Sequence, residues 1–378
     1  MKPFNHGERR KGTVSAEHGA IAFAEKVLAM LGEGRFTTTY KYAVMLGLID
    51  LCLEGVTTNG RAPDSVTTVQ LAEKVLRLYW PHTVGFDGDE RVLSQSSVGR
   101  AEVLTLIVAF RSKQVRDPSA SLSRARQVAP AAYANLLREV EWKLVEMPLP
   151  RVQQFGALDD PFIYQIGWDP SIRRKEFLDL HGFSNAIRFV GDASDHLVRL
   201  AGLLRPLLQR RWAADVARMN GDRIKDAALE DFLFGVDRIA LTPVLDELRE
   251  LQNGLCFYCA GPLKEPQVDH FIPWARVPLN AIENLVVADK SCNNGKKDHL
   301  VAAPHVRSWM ARLASHASDL EAIAHKASWD QGSAQVLGVA RATYLLLPSS
   351  ARLWLSAKPS AQEFVAADPC DLKLALAG

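Results

Sequence analysis

Four side chains between positions 269 and 296 are suited to the hydrolysis of a phosphodiester bond. Asp269 and His270 are adjacent, and Asn293 and Lys296 follow further along the chain. A carboxylate and an amide oxygen suit Mg²⁺, which keeps several waters and accepts phosphate oxygens. An imidazole can take a proton from an attacking water, and an ammonium can hold a phosphate oxygen as charge develops. If these groups converge, they form a metal-dependent hydrolytic site.

The five cysteines fall into two groups. Cys256 and Cys259 are separated by two residues, which is the spacing of a zinc knuckle, and Cys292 follows as a third candidate ligand. Cys52 and Cys370 have no nearby partner in the sequence and are predicted to be small core residues. An odd number of cysteines argues against a disulfide framework. A structural zinc ion is therefore predicted, and a buried, metal-free cluster is the alternative.

The sequence offers two candidates for the fourth zinc ligand. Two residues separate Asp289 from Cys292, which is a knuckle-like spacing, and a carboxylate can ligate zinc. His299 is the alternative, because it is seven residues after Cys292 and would share a helix face with it.

The elements that must position these residues are two strands and a helix. Residues 268–272 and 285–287 have the composition of strands, and a helix is predicted to begin near Asp289 or Ser291, either of which can serve as its N-cap. The amide and the ammonium named above are three residues apart, so they lie on one face of that helix. The predicted order is strand, strand, helix.

The rest of the chain is predicted to be mainly α. Its 378 residues allow two or three domains. The predicted organisation is, in order, a basic tail at 1–15, a mostly helical domain at 16–240 with a short β segment near 150–170, the small unit of two strands and a helix at 241–303, and a helical C-terminal extension at 304–378.

The distribution of charge and of apolar residues bears on whether the protein binds nucleic acid or a membrane. The net charge is only +2, but residues 100–126 hold six basic side chains against two acidic ones, and residues 199–226 hold seven against three. Such stretches can meet phosphates, or they can be solvated helix faces. No apolar run approaches the length of a membrane span, and the N-terminus has no signal-like segment. The expectation is a cytoplasmic protein without a membrane partner.

The whole pattern resembles the HNH (ββα-metal) endonucleases, whose signature is a Cys-x-x-Cys knuckle, an Asp-His on a strand, a central Asn and a Cys-Asn-x-x-Lys helix. The corresponding residues here are Cys256, Cys259, Asp269, His270, Asn284, Cys292, Asn293 and Lys296. The spacing is also similar to the HNH domain of RNA-guided CRISPR nucleases. Zinc-binding members usually have a second full Cys-x-x-Cys, whose first cysteine is here replaced by Asp289.

This resemblance implies a role for each matching residue. His270 would be the general base, Asp269 and Asn293 would bind the catalytic Mg²⁺ or Mn²⁺, Lys296 would contact phosphate, and Asn284 would brace the loop that carries the histidine. The zinc would be structural. The implied fold is a small ββα unit with a zinc knuckle, set between helical regions.

The resemblance also implies a substrate and partners. The leading hypothesis is an endonuclease that cuts double-stranded DNA and leaves 5′-phosphate and 3′-hydroxyl ends. The segment 241–252 resembles the helix that precedes the HNH site in a group of bacterial nucleases with long helical N-terminal regions. By analogy, this resemblance suggests a role in restriction or anti-phage defence. One such site cuts one strand, so a double-strand break would need a homodimer, a partner protein or two successive nicks. The alternatives are an inactive zinc-stabilised nucleic-acid-binding protein and a nuclease acting on RNA.

Overall fold

The computed structural model describes most of the chain. The described residues are 7–33, 37–88, 91–98, 101–115, 117, 119–154, 161–179, 183–221, 226–235, 240–357 and 363–377.

Helices dominate the described residues, which confirms the prediction of a mainly α protein. The helices are α1 (Gly7–Glu33), α2 (Tyr40–Glu54), α3 (Thr68–Tyr79), α4 (Glu102–Gln114), α5 (Leu122–Val128), α6 (Pro130–Glu146), α7 (Pro148–Arg151), α8 (Arg174–Phe177), α9 (Ala193–Met219), α10 (Asp226–Phe234), α11 (Leu245–Leu251), α12 (Lys290–Lys296), α13 (Ala303–Ser315), α14 (Ala317–Ala327), α15 (Ser333–Tyr344) and α16 (Pro369–Ala375). The strands are β1 (Ser65–Thr67), β2 (Tyr164–Ile166), β3 (Ala186–Phe189), β4 (Pro266–His270), β5 (Leu285–Asp289), β6 (Arg352–Trp354) and β7 (Phe364–Ala366).

The chain divides into two compact units. The first contains Met1–Cys52, Pro63–Phe110 and Ala134–Leu233, and the second contains Leu53–Ala62, Arg111–Tyr133 and Phe234–Gly378. The predicted unit at 241–303 and the predicted extension at 304–378 both fall within the second of these.

The first unit combines a helical core with a small antiparallel sheet. Its three strands have the order β1-β3-β2, with Val66 opposite Ile187 and Gln165 opposite Arg188. Strand β2 lies within the short β segment that the composition of the sequence predicts near 150–170. The middle of α2 is buried throughout, because its apolar run has no polar face, and Cys52 is fully buried there as predicted.

The second unit contains the predicted strand–strand–helix arrangement and an apolar core beneath it. That core consists of Val244, Leu248, Ile282, Leu285, Val287, Leu320, Ile323 and Ala324. Helix α15 reaches the segment at 53–62 through Gly338, where a Cβ would lie only 1.7 Å from the backbone oxygen of Glu54. Any side chain at this position would clash, so the close approach requires glycine.

Two expectations about the periphery differ from the structure. Helix α1 begins at Gly7, so residues 7–15 of the predicted basic tail are helical, and 1–6 lie outside the described residues. The segment contains Glu8, Arg9, Arg10 and Lys11, residue types that favour helix. Cys370 is exposed rather than buried, because it lies in the first turn of α16. None of the helices in the described ranges has the length and apolar character needed to cross a bilayer.

Candidate active site

The scaffold of the site is the β4–β5 hairpin followed by α12. The strands pair antiparallel, with Asp269 opposite Val286 and His270 opposite Leu285. Asp289 caps α12, since its Oδ1 accepts a hydrogen bond from the backbone N–H of Ser291 at 3.2 Å. The predicted strand–strand–helix order is confirmed, although β4 begins two residues earlier than predicted and β5 extends two residues further.

The hairpin and the helix form the walls of an open cleft with a volume of about 340 Å³. Three of the predicted site residues, Asp269, His270 and Asn293, line this cleft together. The remaining lining residues are Pro273, Trp274, Asn294, Lys297 and Asp298. The structure therefore brings the acid, the imidazole and the amide to one place that a large substrate can reach.

His270 is half-buried and held from one side. Its Nε2 lies 2.6 Å from Oδ1 of Asn280, and its ring packs against Trp274 with centroids 5.4 Å apart. Because a carboxamide oxygen only accepts, Nε2 carries the proton of a neutral ring and the lone pair is on Nδ1. Burial lowers the pKa of His270, while the bond from Asn280 opposes that shift. The neutral form, which can accept a proton, is thereby favoured.

Asn284 is fully buried behind the histidine. Its Oδ1 accepts from the backbone N–H of Ile272 at 2.8 Å, and its Nδ2 donates to the carbonyl oxygens of Ile272 (3.1 Å) and Leu279 (3.0 Å). These bonds close the loop that follows β4. Asn284 thus has the bracing geometry that the resemblance implies and does not line the cleft.

Lys296 is buried beneath the cleft wall rather than exposed where a phosphate could reach it. Its side chain has no exposed surface, and its Nζ is 2.9 Å from Oδ2 of Asp269 and 2.8 Å from the backbone oxygen of His270. A buried ammonium in this environment is paired with the carboxylate and cannot extend into the cleft. The expectation that Lys296 contacts phosphate therefore does not fit this geometry, because the helix turns this position toward the hairpin.

The next residue, Lys297, has a different environment. It is exposed and lines the cleft. Its backbone has φ 49° and ψ −129°, a conformation that L-residues rarely adopt and that favours glycine. Sparsely populated backbone conformations of this kind are concentrated at functional sites.

Asn293 is oriented by a neighbouring strand residue. Its Nδ2 donates to Oε1 of Gln267 at 2.9 Å. Since the amide nitrogen is used in this bond, the amide oxygen is the atom that Asn293 can offer to a cation.

The three predicted cysteine ligands form a tight cluster. The sulfur atoms of Cys256, Cys259 and Cys292 all lie within 4.8 Å of one another. The neighbouring Cys292 thiol and the backbone N–H groups around the sulfur of Cys256, among them that of Asp289 at 3.3 Å, lower the pKa of Cys256 and favour its thiolate. Thiolates are the form of cysteine that binds metal, and three at this separation fit a zinc ion.

Neither candidate for the fourth ligand belongs to that cluster. Within the described ranges, the group of metal-binding side chains at this point contains only the three cysteines. The Asp289 carboxylate instead accepts from the backbone N–H groups of Lys264 (2.9 Å) and Glu265 (3.2 Å) as well as from Ser291. The exposed ring of His299 packs edge-on against Phe364. Asp289 therefore links the segment just before β4 to the start of α12 by hydrogen bonds.

Some of the basic side chains in the two stretches have partners within their own unit. Arg111 is buried and donates to the backbone of Ala120, and Arg124 donates to Ser328. In the other stretch Arg205 pairs with Asp50 in a buried ion pair. Arg100, Arg116 and residues 222–225 lie outside the described residues. A role of these stretches in holding nucleic acid remains a prediction.

Several residues of the site are not predicted from the sequence. Asn280 holds His270, Tyr258 donates to Asp269 at 2.5 Å, and Gln267 holds Asn293. No spacing marks Asn280 or Gln267, because they act through loop and strand geometry. The sequence shows Lys297 next to Lys296, but whether its side chain faces the cleft depends on how α12 packs.

The site thus combines a ββα scaffold, a cleft lined by Asp269, His270 and Asn293, and a three-cysteine knuckle. Residues 259–302 match the model of a family described as HNH endonuclease. The chain thus contains an HNH domain, which confirms the resemblance and indicates nuclease activity on a nucleic acid. No curated protein and no solved structure matches the chain.

Proposed function

We propose that this protein is a metal-dependent endonuclease that hydrolyses phosphodiester bonds in DNA, with His270 as the general base. The observation that supports this proposal most strongly is the shared cleft of His270, Asp269 and Asn293. Nε2 of His270 is bonded to Asn280, so Nδ1 is the atom that takes the proton of the attacking water. The carboxylate and the amide oxygen are hard donors that fit Mg²⁺ or Mn²⁺.

The residues in and around the cleft then have separate roles. Asp269 and Asn293 hold the metal, which when bound stabilises charge on the phosphate oxygens. Lys297 rather than Lys296 holds a non-bridging phosphate oxygen, because its ammonium is the one on the exposed wall. Lys296 neutralises Asp269 from the buried side, and Asn284 fixes the loop behind His270.

The cysteine cluster supports a structural zinc site. Three sulfur atoms within 4.8 Å of one another are suited to a soft cation and lie outside the set that lines the cleft. One ion held by Cys256, Cys259 and Cys292 would join segments that are distant in the sequence, so a bound metal would contribute directly to stability. A reducing compartment such as the cytoplasm would keep these thiols available, which supports the proposed cytoplasmic location.

The finer aspects of function rest on the resemblance alone. Double-stranded DNA as substrate and a role in restriction or anti-phage defence are proposals of this kind. Because one HNH site cuts one strand, double-strand cleavage would need a second copy, a partner protein or successive nicks.

Plasmid cleavage tests the proposal. Wild-type protein is incubated with supercoiled plasmid and with single-stranded RNA in Mg²⁺ or Mn²⁺, beside His270→Ala and the matched control His325→Ala. His325 is an exposed histidine of the same unit that lies outside the cleft. We expect wild type and His325→Ala to nick and linearise the plasmid and His270→Ala to leave it supercoiled. DNA binding without cutting in either metal would favour an inactive binding protein, and cleavage confined to RNA would reassign the substrate.

A further inference from the structure

The carboxylate of Asp269 is bound on its buried side by two groups. Oη of Tyr258 donates to Oδ2 at 2.5 Å, and Nζ of Lys296 lies 2.9 Å from the same oxygen and 3.2 Å from Oδ1. Hydrogen bonds from a hydroxyl or an ammonium to a carboxylate are short and strong. Asp269 therefore has little freedom to rotate.

Tyr258 reaches Asp269 from inside the cysteine knuckle. It lies between Cys256 and Cys259 in the sequence, and both sulfur atoms belong to the cysteine cluster. The preceding residue, Phe257, donates its N–H to the backbone oxygen of Val287 at 3.0 Å. The loop is thus fixed to β5 at the point from which the tyrosine extends.

The ring of Tyr258 is itself held by aromatic packing. His305 and Trp354 contact it edge-on, with ring centroids 5.4 Å and 5.2 Å away. The hydroxyl is the donor in its bond to Asp269, because a carboxylate only accepts. The direction of the hydroxyl is therefore set by the knuckle and by these two side chains.

We propose that Tyr258 is a positioning residue that couples the cysteine knuckle to the cleft by holding the Asp269 carboxylate in the orientation that binds the catalytic cation. The inference rests on the proposed function of Asp269 as a ligand. Partners that orient a metal ligand from behind typically change metal affinity or activity 10–100-fold when removed. A hydroxyl that served only to fill the core would change stability and leave cation affinity unaltered.

The test compares Tyr258→Phe with Tyr344→Phe. Tyr344 is a matched control, because it is also buried in the second unit and its hydroxyl has a different partner, the N–H of Val301 at 3.2 Å. Binding of Mn²⁺ alone is measured, without nucleic acid, from the loss of the free-ion signal in electron paramagnetic resonance. Tb³⁺ luminescence sensitised by Trp274, which lines the cleft, locates the site by comparison with Trp274→Phe.

We expect Tyr258→Phe to keep its zinc and to bind Mn²⁺ about 10–100-fold more weakly than the wild type. Tyr344→Phe should bind Mn²⁺ as the wild type does. High Mn²⁺ concentration should restore cleavage by Tyr258→Phe, because the ligand is misoriented but still present.

Four outcomes would overturn the inference. Equal Mn²⁺ affinity in wild type and Tyr258→Phe overturns the inference alone, and so does an equal loss in Tyr344→Phe. If the wild type has no saturable Mn²⁺ site, the proposed function fails together with the inference. Should Tyr258→Phe unfold, 3-fluorotyrosine at position 258, which keeps the hydroxyl, must bind Mn²⁺ like the wild type, and weaker binding would again overturn the inference.

Discussion

Lys296 and Asp269 form an ion pair in which the lysine side chain has no exposed surface and the ammonium is 2.9 Å from the carboxylate. The neighbouring Lys297 is exposed and lies on the wall of the cleft. Two adjacent lysines at the end of one short helix thus have different environments, and substitutions at the two positions should affect the protein in opposite ways.

Lys296→Met should destabilise the second unit. Removing the ammonium leaves the Asp269 carboxylate buried without its ionic partner, and breaking a buried pair in this way typically costs about 3–5 kcal/mol. Thermal and denaturant unfolding would measure the loss. Unchanged stability would mean that the pair is exposed to solvent in the protein.

Lys297→Gly should raise stability while it lowers activity. Glycine relieves the φ of 49° at this position, which is expected to gain about 1 kcal/mol. The same change removes the proposed phosphate contact, so kcat/KM for plasmid cleavage should fall. Lys297→Arg is the control, since it keeps both the charge and the backbone strain. Full activity in Lys297→Gly would exclude a substrate contact by this residue.

Asn284→Ala should destabilise the hairpin without changing any group in the cleft. Three backbone groups, the N–H and carbonyl of Ile272 and the carbonyl of Leu279, would lose their partner. A buried group left without a hydrogen bond costs about 1–3 kcal/mol. Denaturant unfolding measures this cost, with Asn294→Ala as a control at an exposed position of α12. Similar stability of the two variants would argue against the bracing role.

Zinc content should depend on the cysteines and not on either predicted fourth ligand. We expect Cys256→Ser to lose zinc and thermal stability together, because it removes one of three clustered sulfur atoms. His299→Ala should keep the wild-type stoichiometry, measured by elemental mass spectrometry. Asp289→Ala should also keep zinc but lower thermal stability, because the cap of α12 is lost. Loss of zinc in either of the last two variants would identify a ligand that this geometry excludes.

The pH dependence of cleavage should follow the neutral form of His270. Burial lowers the pKa of this histidine from its ordinary value of 6.5. Since the base form is populated above its pKa, activity should be constant through neutrality and fall only at a pH below 6.5. Asn280→Ala removes the bond that opposes the shift, so its acid limb should lie lower still. An inflection above 6.5 would contradict the assignment of His270 as the base.

The sequence by itself determined the chemistry of the site and the order of its elements. The spacing of Cys256 and Cys259, the adjacent Asp269 and His270, and the β-branched segments around 268–272 and 285–287 are local properties. Side-chain type and short-range periodicity are sufficient to predict them. The mainly α character of the flanking regions was predictable for the same reason.

Only the tertiary structure decided which side chains face the cleft. Lys296 is the last residue of α12, and Lys297 leaves the helix with a φ of 49°. Which of the two lysines is buried therefore depends on the side of α12 that packs on the hairpin and on the direction in which the chain leaves the helix. The carboxylate of Asp289 accepts a hydrogen bond from the backbone N–H of Lys264 and is not part of the cluster of three sulfur atoms. The contacts of Tyr258 and Asn280 join segments that are separate in the sequence, and no local pattern encodes such contacts.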